Sequence, residues 1–381
     1  AKARRTGAAI LAVAGNVPIS HTSRNALRIC ELAGRGDVPV FAGSDQPMGR
    51  KLVTAEHVHG KTGLDGPDLP EPKIKLQAKP GVDYIVETIR ASAKGEITLV
   101  TLGPLTDIAL ALDRAPEIAG KIREIVMMAG AYFEGGNITP AAEFNVYVDP
   151  TAADIVLRSG IPIVMLPLDV THRVLVTPPR MERLFALGNR SGKALAEALT
   201  FSRSFDVNKY GWEGAPLHDP TTIAYLLKPE LFQGREINVS IETVSELTMG
   251  MTVADYWRIT QRPRNVRYMR DVDADGLHLP SARLMQCDRR PFARSKLLSA
   301  ACHSRDQLLH AQRLRVDFVT LSPVLPTSSH PGEPALGWTQ FQALAAEVSL
   351  PVYALGGMTR VSLPMAHGHG AYGVAGISAF W

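Results

Sequence analysis

Cysteine is scarce: Cys30, Cys287 and Cys302 are the only three in 381 residues, odd in number and without a C-x-x-C pair. That excludes a disulfide framework and structural zinc, and it points to a reducing compartment, so a cytoplasmic location is expected. Long apolar runs are also missing. None approaches the ~20 residues of a membrane helix, so no membrane partner is expected. Charge of one sign is lacking as well: the net charge is +4, and no basic stripe is interleaved with aromatics. Nucleic acid is therefore not an expected partner. Lys2-Ala3-Arg4-Arg5 and the apolar residues behind it imitate a signal peptide, but the run is short and ends in Asn16-Val17-Pro18. Residues 8–13 read instead as a buried strand. The chain opens on Ala1 and not Met, so an upstream piece is expected.

What is present suits a soluble globular protein of more than one domain: 45% hydrophobic and 20% charged residues over a length too great for a single typical unit. Strand and helix patterns alternate along the first long region. Strands are expected at 10–13, 38–41, 97–102, 125–128 and 161–166, and helices at 22–32, 82–93, 104–112 and 150–158. Asp149-Pro150 and Asp219-Pro220 each read as an N-cap followed by proline at the first helical position. A mostly helical stretch at 178–208 and late strands at 237–251 and 266–272 follow. Near-continuous apolar strands between helices indicate an α/β fold, an open and mostly parallel sheet with helices on both faces. Beyond residue 276 the units become short βα repeats, as in part of a (β/α) barrel. The expected domains are 1–275 and 276–381.

Polar side chains gather where strands end. Glu143 and Asn145 lie on one side of what reads as an extended or loop segment from Pro140 to Pro150, and Asn137 follows the Gly135-Gly136 bend. Buried empty, such groups would cost about 1–3 kcal/mol for each hydrogen bond lost, so a ligand rich in hydroxyls, a sugar, is the natural candidate. Asn16 and Leu102-Gly103-Pro104 follow other strands, and His218-Asp219 opens a helix. Ligands of open α/β sheets bind outside the carboxyl ends of the strands, so these groups can meet in one crevice. Plainer roles stand beside these: Asn16 closing a turn, Glu143 paired with an arginine, and Asp149 and Asp219 as caps. Asp271, Asp273 and Asp275 read as solvated loop carboxylates, without the downstream glutamate of an EF-hand.

Residues 8–276 resemble the inosine-uridine preferring nucleoside hydrolases. The resemblance rests on V-A-G-N-V at 13–17, H-G-K-T-G-L-D-G at 59–66, G-P-L-T-D-I-A at 103–109, M-M-A-G at 127–130, G-G-N-I-T-P-A-A-E-F-N-V-Y-V-D-P at 135–150 and P-L-H-D-P at 216–220. It implies hydrolysis of the N-glycosidic bond of a small nucleoside, one calcium ion and a homo-oligomer. Carried over, Asn137 and Glu143 hold the 5′-hydroxyl and Asn145 the 2′-hydroxyl. Asp219 binds calcium and the 3′-hydroxyl, the carbonyl of Leu102 binds calcium, and Asn16 positions the ribose. His218, with a pKa near neutrality, protonates the departing base, and Tyr210 lies beside it. The family's Asp-rich loop, D-T-D-P-G-x-D-D on a strand ahead of V-A-G-N, has no counterpart, since residues 1–9 carry no acidic side chain. Weak calcium binding and impaired turnover are expected of this polypeptide, with a non-catalytic ribose or nucleoside binder as the alternative.

Residues 276–381 are similar to the C-terminal part of thiamine-phosphate synthases, closest to the version linked to Nudix hydrolases. A-C-H-S at 301–304, L-S-P-V-L-P-T-S-S-H-P-G at 321–332 and Y-A-L-G-G-M at 353–358 carry that likeness. It implies a phosphate grip from Thr327, Gly356, Gly357 and Ser378, and a thiamine-related activity as a further alternative. The glycines could equally serve tight βα turns alone, and His330 stands where many of these synthases have lysine.

Overall fold

Helices whose apolar residues recur every three to four positions cover strands that are apolar on both faces, and this pairing sets the architecture. The computed structural model describes residues 9–212, 214–272, 277–279, 281–290, 298–327 and 334–375. The chain divides into two compact units, Ala1–Val272 and Asp273–Trp381.

In the first unit, β1 (Ile10–Ala12) pairs in parallel with β2 (Val40–Ala42). The main sheet runs through β3 (Thr98–Thr101), β4 (Glu124–Met128) and β5 (Ile163–Leu166), all parallel. A small antiparallel pair joins β6 (Leu175–Val176) to β7 (Ala215–Pro216). The main sheet ends with β8 (Phe232–Ile237), after which β9 (Val239–Ile241) and β10 (Thr252–Ala254) form a separate antiparallel pair. β11 (Val266–Val272) lies between β5 and β8, parallel to the first and antiparallel to the second. The order in the main sheet is β3-β4-β5-β11-β8, so among its described residues the unit carries this sheet and three two-stranded ones, not one continuous layer.

The core follows from the periodicity. The helix Gly81–Ala91 buries Val82, Ile85, Val86 and Ile89, one face at helical spacing. The helix Pro150–Arg158 buries Ala152, Ala153, Val156 and Leu157. Both pack with Ile125, Met127, Ile163 and Met165 in one cluster. Fully burying a side chain of the size of isoleucine or methionine contributes about 1.5–3 kcal/mol, so this cluster dominates the stability of the unit.

Several boundaries differ from the sequence reading. The helix after Gly103 begins at Thr106, leaving Pro104 in the preceding turn. The segment 237–251 is not one strand. Glu242 turns its carboxylate back on the N–H groups of Val244 and Ser245, and Gly250 adopts a positive φ, which breaks the extended run. The segment Phe144–Val148 is a short helix and not extended chain. No helix among the described residues is long and apolar enough to cross a membrane.

In the second unit, β12 (Leu277–Leu279), β13 (Leu298–Cys302), β14 (Phe318–Leu321), β15 (Val352–Ala354) and β16 (Gly373–Val374) form a parallel sheet in that order. The helices Arg305–Arg313, Gly337–Ala345 and Leu363–Gly368 connect them. Among the described residues this sheet is open and does not close into a barrel.

Candidate active site

Backbone donors at the end of β4 organise the polar cluster. Glu143 is the N-cap of the helix Phe144–Val148 and is almost fully buried. Its Oε1 accepts from Asn145 N–H at 2.8 Å, and its Oε2 from Gly130 N–H at 3.0 Å and Val146 N–H at 3.2 Å. No arginine pairs with it among the described residues. Burial, helped by the charge of Asp219, raises its pKa to about 7 against the pull of these three amides. Asn145 donates through Nδ2 to the carbonyl of Met128 at 3.0 Å, and Asn137 Oδ1 accepts from Phe144 N–H at 2.8 Å. The protein itself therefore satisfies part of each side chain. Asn137 Nδ2 and Asn145 Oδ1 have no hydrogen-bond partner among the described residues, so one donor and one acceptor are left for a ligand.

Asp219 does not cap its helix, contrary to the sequence reading. Its own backbone is helical, so the carboxylate cannot fold back over the first turn, and it makes no cap hydrogen bond. It is partly accessible yet deeply enclosed, and desolvation alone raises its pKa to about 7. A carboxylate held this way, within electrostatic reach of Glu143, suits a hydroxyl-bearing or cationic ligand.

His218 lies one residue earlier, with Nδ1 2.8 Å from Thr171 Oγ1 and its ring 5.6 Å from that of His172. Burial, with His172 and His59 adding like-charge repulsion, lowers its pKa to about 3. The ring expected to titrate near neutrality is therefore neutral at pH 7. His172 meets the edge of Trp212, with ring centroids 4.7 Å apart. The side chain of Tyr210 lies outside the described residues.

A second group adjoins this one. A Cβ on Gly15 would meet Pro104 at 3.0 Å, and one on Gly103 would meet Val13 at 3.3 Å, so the turns carrying Asn16 and Leu102 are in contact. Ala55 N–H donates to Asn16 O, and Ala55 with Leu52 packs on Phe144, Val148 and Ile138. The loop 59–66 closes on Asp65, which accepts from Lys61 and Thr62 N–H, and Gly63 abuts Val17. Asn16 and Leu102 thus sit across short packed segments from the Glu143 cluster.

Sequence reasoning missed Asp169, Thr171 and His172, which sit in L-P-L-D-V-T-H at 166–172, just past β5. A polar run at the end of an apolar strand was the signal available for them.

In the second unit, Gly356 and Gly357 follow β15 with φ of 95° and 65°. A Cβ on Gly356 would reach Pro323 at 2.8 Å, and one on Gly357 would reach Leu325 Cβ at the same distance. Packing alone accounts for both glycines. Thr327 is half-buried, and Ser378 and His330 lie outside the described residues.

Residues 4–278 match the family model of the inosine-uridine preferring nucleoside hydrolases, and residues 238–380 that of thiamine monophosphate synthase. An uncharacterized protein of Schizosaccharomyces pombe is 53% identical over 266 residues, covering 70% of this chain and 86% of that protein. The pyrimidine-specific ribonucleoside hydrolase RihA of a Shewanella strain is 48% identical over 272 residues, covering 71% and 85%. The solved purine-preferring ribonucleoside hydrolase of Gardnerella vaginalis superposes with a TM-score of 0.66 at 31% identity, over 70% of this chain and 86% of that one.

Proposed function

The chain belongs to the inosine-uridine preferring nucleoside hydrolase family, and from that premise we propose that it cleaves the N-glycosidic bond of ribonucleosides, pyrimidine ribonucleosides foremost. The preference for pyrimidines is supported by the 48% identity to a pyrimidine-specific relative. The observation that carries the reading is the approach of Asp219 to the buried Glu143, with His218 one residue away. Glu143 and Asp219 supply negative potential where a ribosyl cation develops, and such oxygens stabilise an oxocarbenium-like transition state. Asn137 Nδ2 and Asn145 Oδ1 orient ribose hydroxyls, and Asn16 supports them from the neighbouring turn. His218, with Tyr210 beside it in sequence reach, faces the base and hydrogen-bonds to it as a neutral ring. A cytoplasmic setting and a homo-oligomer accompany this proposal.

Calcium fits these residues poorly. Asp219 and the Leu102 carbonyl offer at most three oxygens, whereas calcium takes six to eight. Among the described residues no group of three or more His, Cys, Asp or Glu is gathered for a metal. No step is routed through the ion.

Calorimetry with uridine tests the reading, alongside a reducing-sugar assay for ribose release. Glu143→Gln and Asn145→Ala should each weaken uridine binding by roughly 10-fold or more, the size of one hydrogen bond lost at a buried site. Failure to bind uridine, inosine or ribose at millimolar concentration would overturn it.

A further inference from the structure

Several carboxylates in this unit organise loops by accepting from backbone amides, and of these the proposed chemistry uses only Glu143. Another is Asp169, 2% exposed, in the four-residue helix Leu168–Thr171 just past β5. Its Oδ1 accepts from Phe133 N–H at 2.5 Å and Glu134 N–H at 3.0 Å. Its Oδ2 accepts from Tyr132 N–H at 3.1 Å and from the Tyr268 hydroxyl at 2.5 Å. Three consecutive amides of the loop leading from β4 to Asn137 thus hang on one side chain. The loop is gripped from the other side too, where the Arg270 guanidinium stands 3.9 Å from the Phe133 ring centroid.

The same short helix touches the site twice more. Leu168 N–H donates to Gly130 O at 2.9 Å, while Gly130 N–H donates to Glu143 Oε2 at 3.0 Å. A single residue therefore separates this helix from the buried carboxylate. Gly130 has a φ of 83°, and a Cβ there would meet Thr252 Oγ1 at 2.9 Å, so the spacing is fixed by packing. At the other end, fully buried Thr171 holds His218 Nδ1. When the Thr171 hydroxyl donates a hydrogen bond to Nδ1, the ring N–H resides on Nε2, on the opposite side of the ring.

We propose that Asp169 and Thr171 are positioning residues, Asp169 for the sugar-side loop and Thr171 for the His218 ring, so that one helical turn keeps both sides of the crevice in register. This rests on the assignment of those two sides in the proposed function. Neither residue touches a reacting atom.

The test compares Asp169→Ala, Asp169→Asn, Thr171→Val and Thr171→Ser in the full chain. Amide exchange at 132–134 should quicken at least 10-fold in Asp169→Ala and be largely restored in Asp169→Asn, whose carboxamide oxygen still accepts. Uridine affinity should fall about 10-fold and recover in the same pattern. Imidazole ¹⁵N spectra should report the Nε2–H tautomer of His218 in the parent chain and in Thr171→Ser, and a mixture in Thr171→Val. Unchanged exchange at 132–134 in a folded Asp169→Ala protein, or an unchanged His218 tautomer in Thr171→Val, would overturn the inference. The exchange and tautomer readouts need no ligand, so a parent chain that binds no uridine sinks the proposed function and leaves this test intact.

Discussion

Asp107 lies almost fully buried behind the 43–44 turn, where its Oδ1 accepts from Ser44 N–H at 2.7 Å. The missing side chain of Gly43 makes room for it, since a Cβ there would fall on the carboxyl oxygens. One amide does not replace the water that burial strips away, and the pKa rises to about 6. The folded chain therefore holds this proton more tightly than the unfolded one. The cost of the charged form is complete above pH about 6 and fades as pH falls toward the ordinary carboxylate value. Two units correspond to about 3 kcal/mol at most. Asp107→Asn keeps an acceptor for Ser44 and removes the charge. It should raise stability to urea at pH 7.5 by about 1–3 kcal/mol, and the gain should shrink toward zero near pH 4. A gain that is independent of pH would mean that desolvation of this charge is not the cause.

At the scale of elements, helix starts show what the sequence discloses. Asp149 before Pro150 reads as a cap, and its Oδ1 does accept from Ala152 N–H at 3.0 Å. Its Oδ2 also takes Thr106 Oγ1 at 2.6 Å and Met48 N–H at 2.8 Å, partners 43 and 101 residues away that no local pattern reveals. Asp149→Ala leaves a buried hydroxyl and a half-buried amide without this acceptor. It should destabilise by about 3 kcal/mol or more, beyond the ~1 kcal/mol of a lost cap. Equilibrium urea unfolding measures the difference, and a loss confined to the cap value would disprove the network. The same D-P dipeptide misleads at Asp219, because a cap depends on the backbone angles of the capping residue, which the dipeptide does not state. The helix Phe144–Val148 was hidden for another reason. Phe, Val and Tyr favour strands, and only the reach of Glu143 over the N–H groups of Asn145 and Val146 decides for helix. Asn137, Glu143 and Asn145 were legible as polar breaks among apolar neighbours. Thr171 and Asp169 were marked only by their polar positions past β5, since their importance lies in contacts with segments distant in sequence.

At the scale of the whole molecule, every described residue of the proposed crevice lies in the unit Ala1–Val272, while the two-glycine turn after β15 lies in the other. A ligand that binds the folded state stabilises whatever it touches, by about 2.7 kcal/mol at 100 times its Kd. That stabilisation appears as slowed amide exchange near the contacts. Saturating uridine should therefore slow exchange at 128–146 and 168–172 by 10-fold or more, and leave 318–327 and 352–358 unchanged. Inorganic phosphate offers the complementary probe. The tight packing of Gly356 and Gly357 explains their presence without a ligand, whereas N–H groups turned toward a bound anion would lose exchange when phosphate is added. Packing alone predicts no change at 352–358 up to 10 mM phosphate, a concentration offered as a rough upper bound for a physiological anion site. Protection there would assign the second unit an anion site of its own. Protection of 352–358 by uridine would place nucleoside contacts outside the first unit and refute the site drawn here.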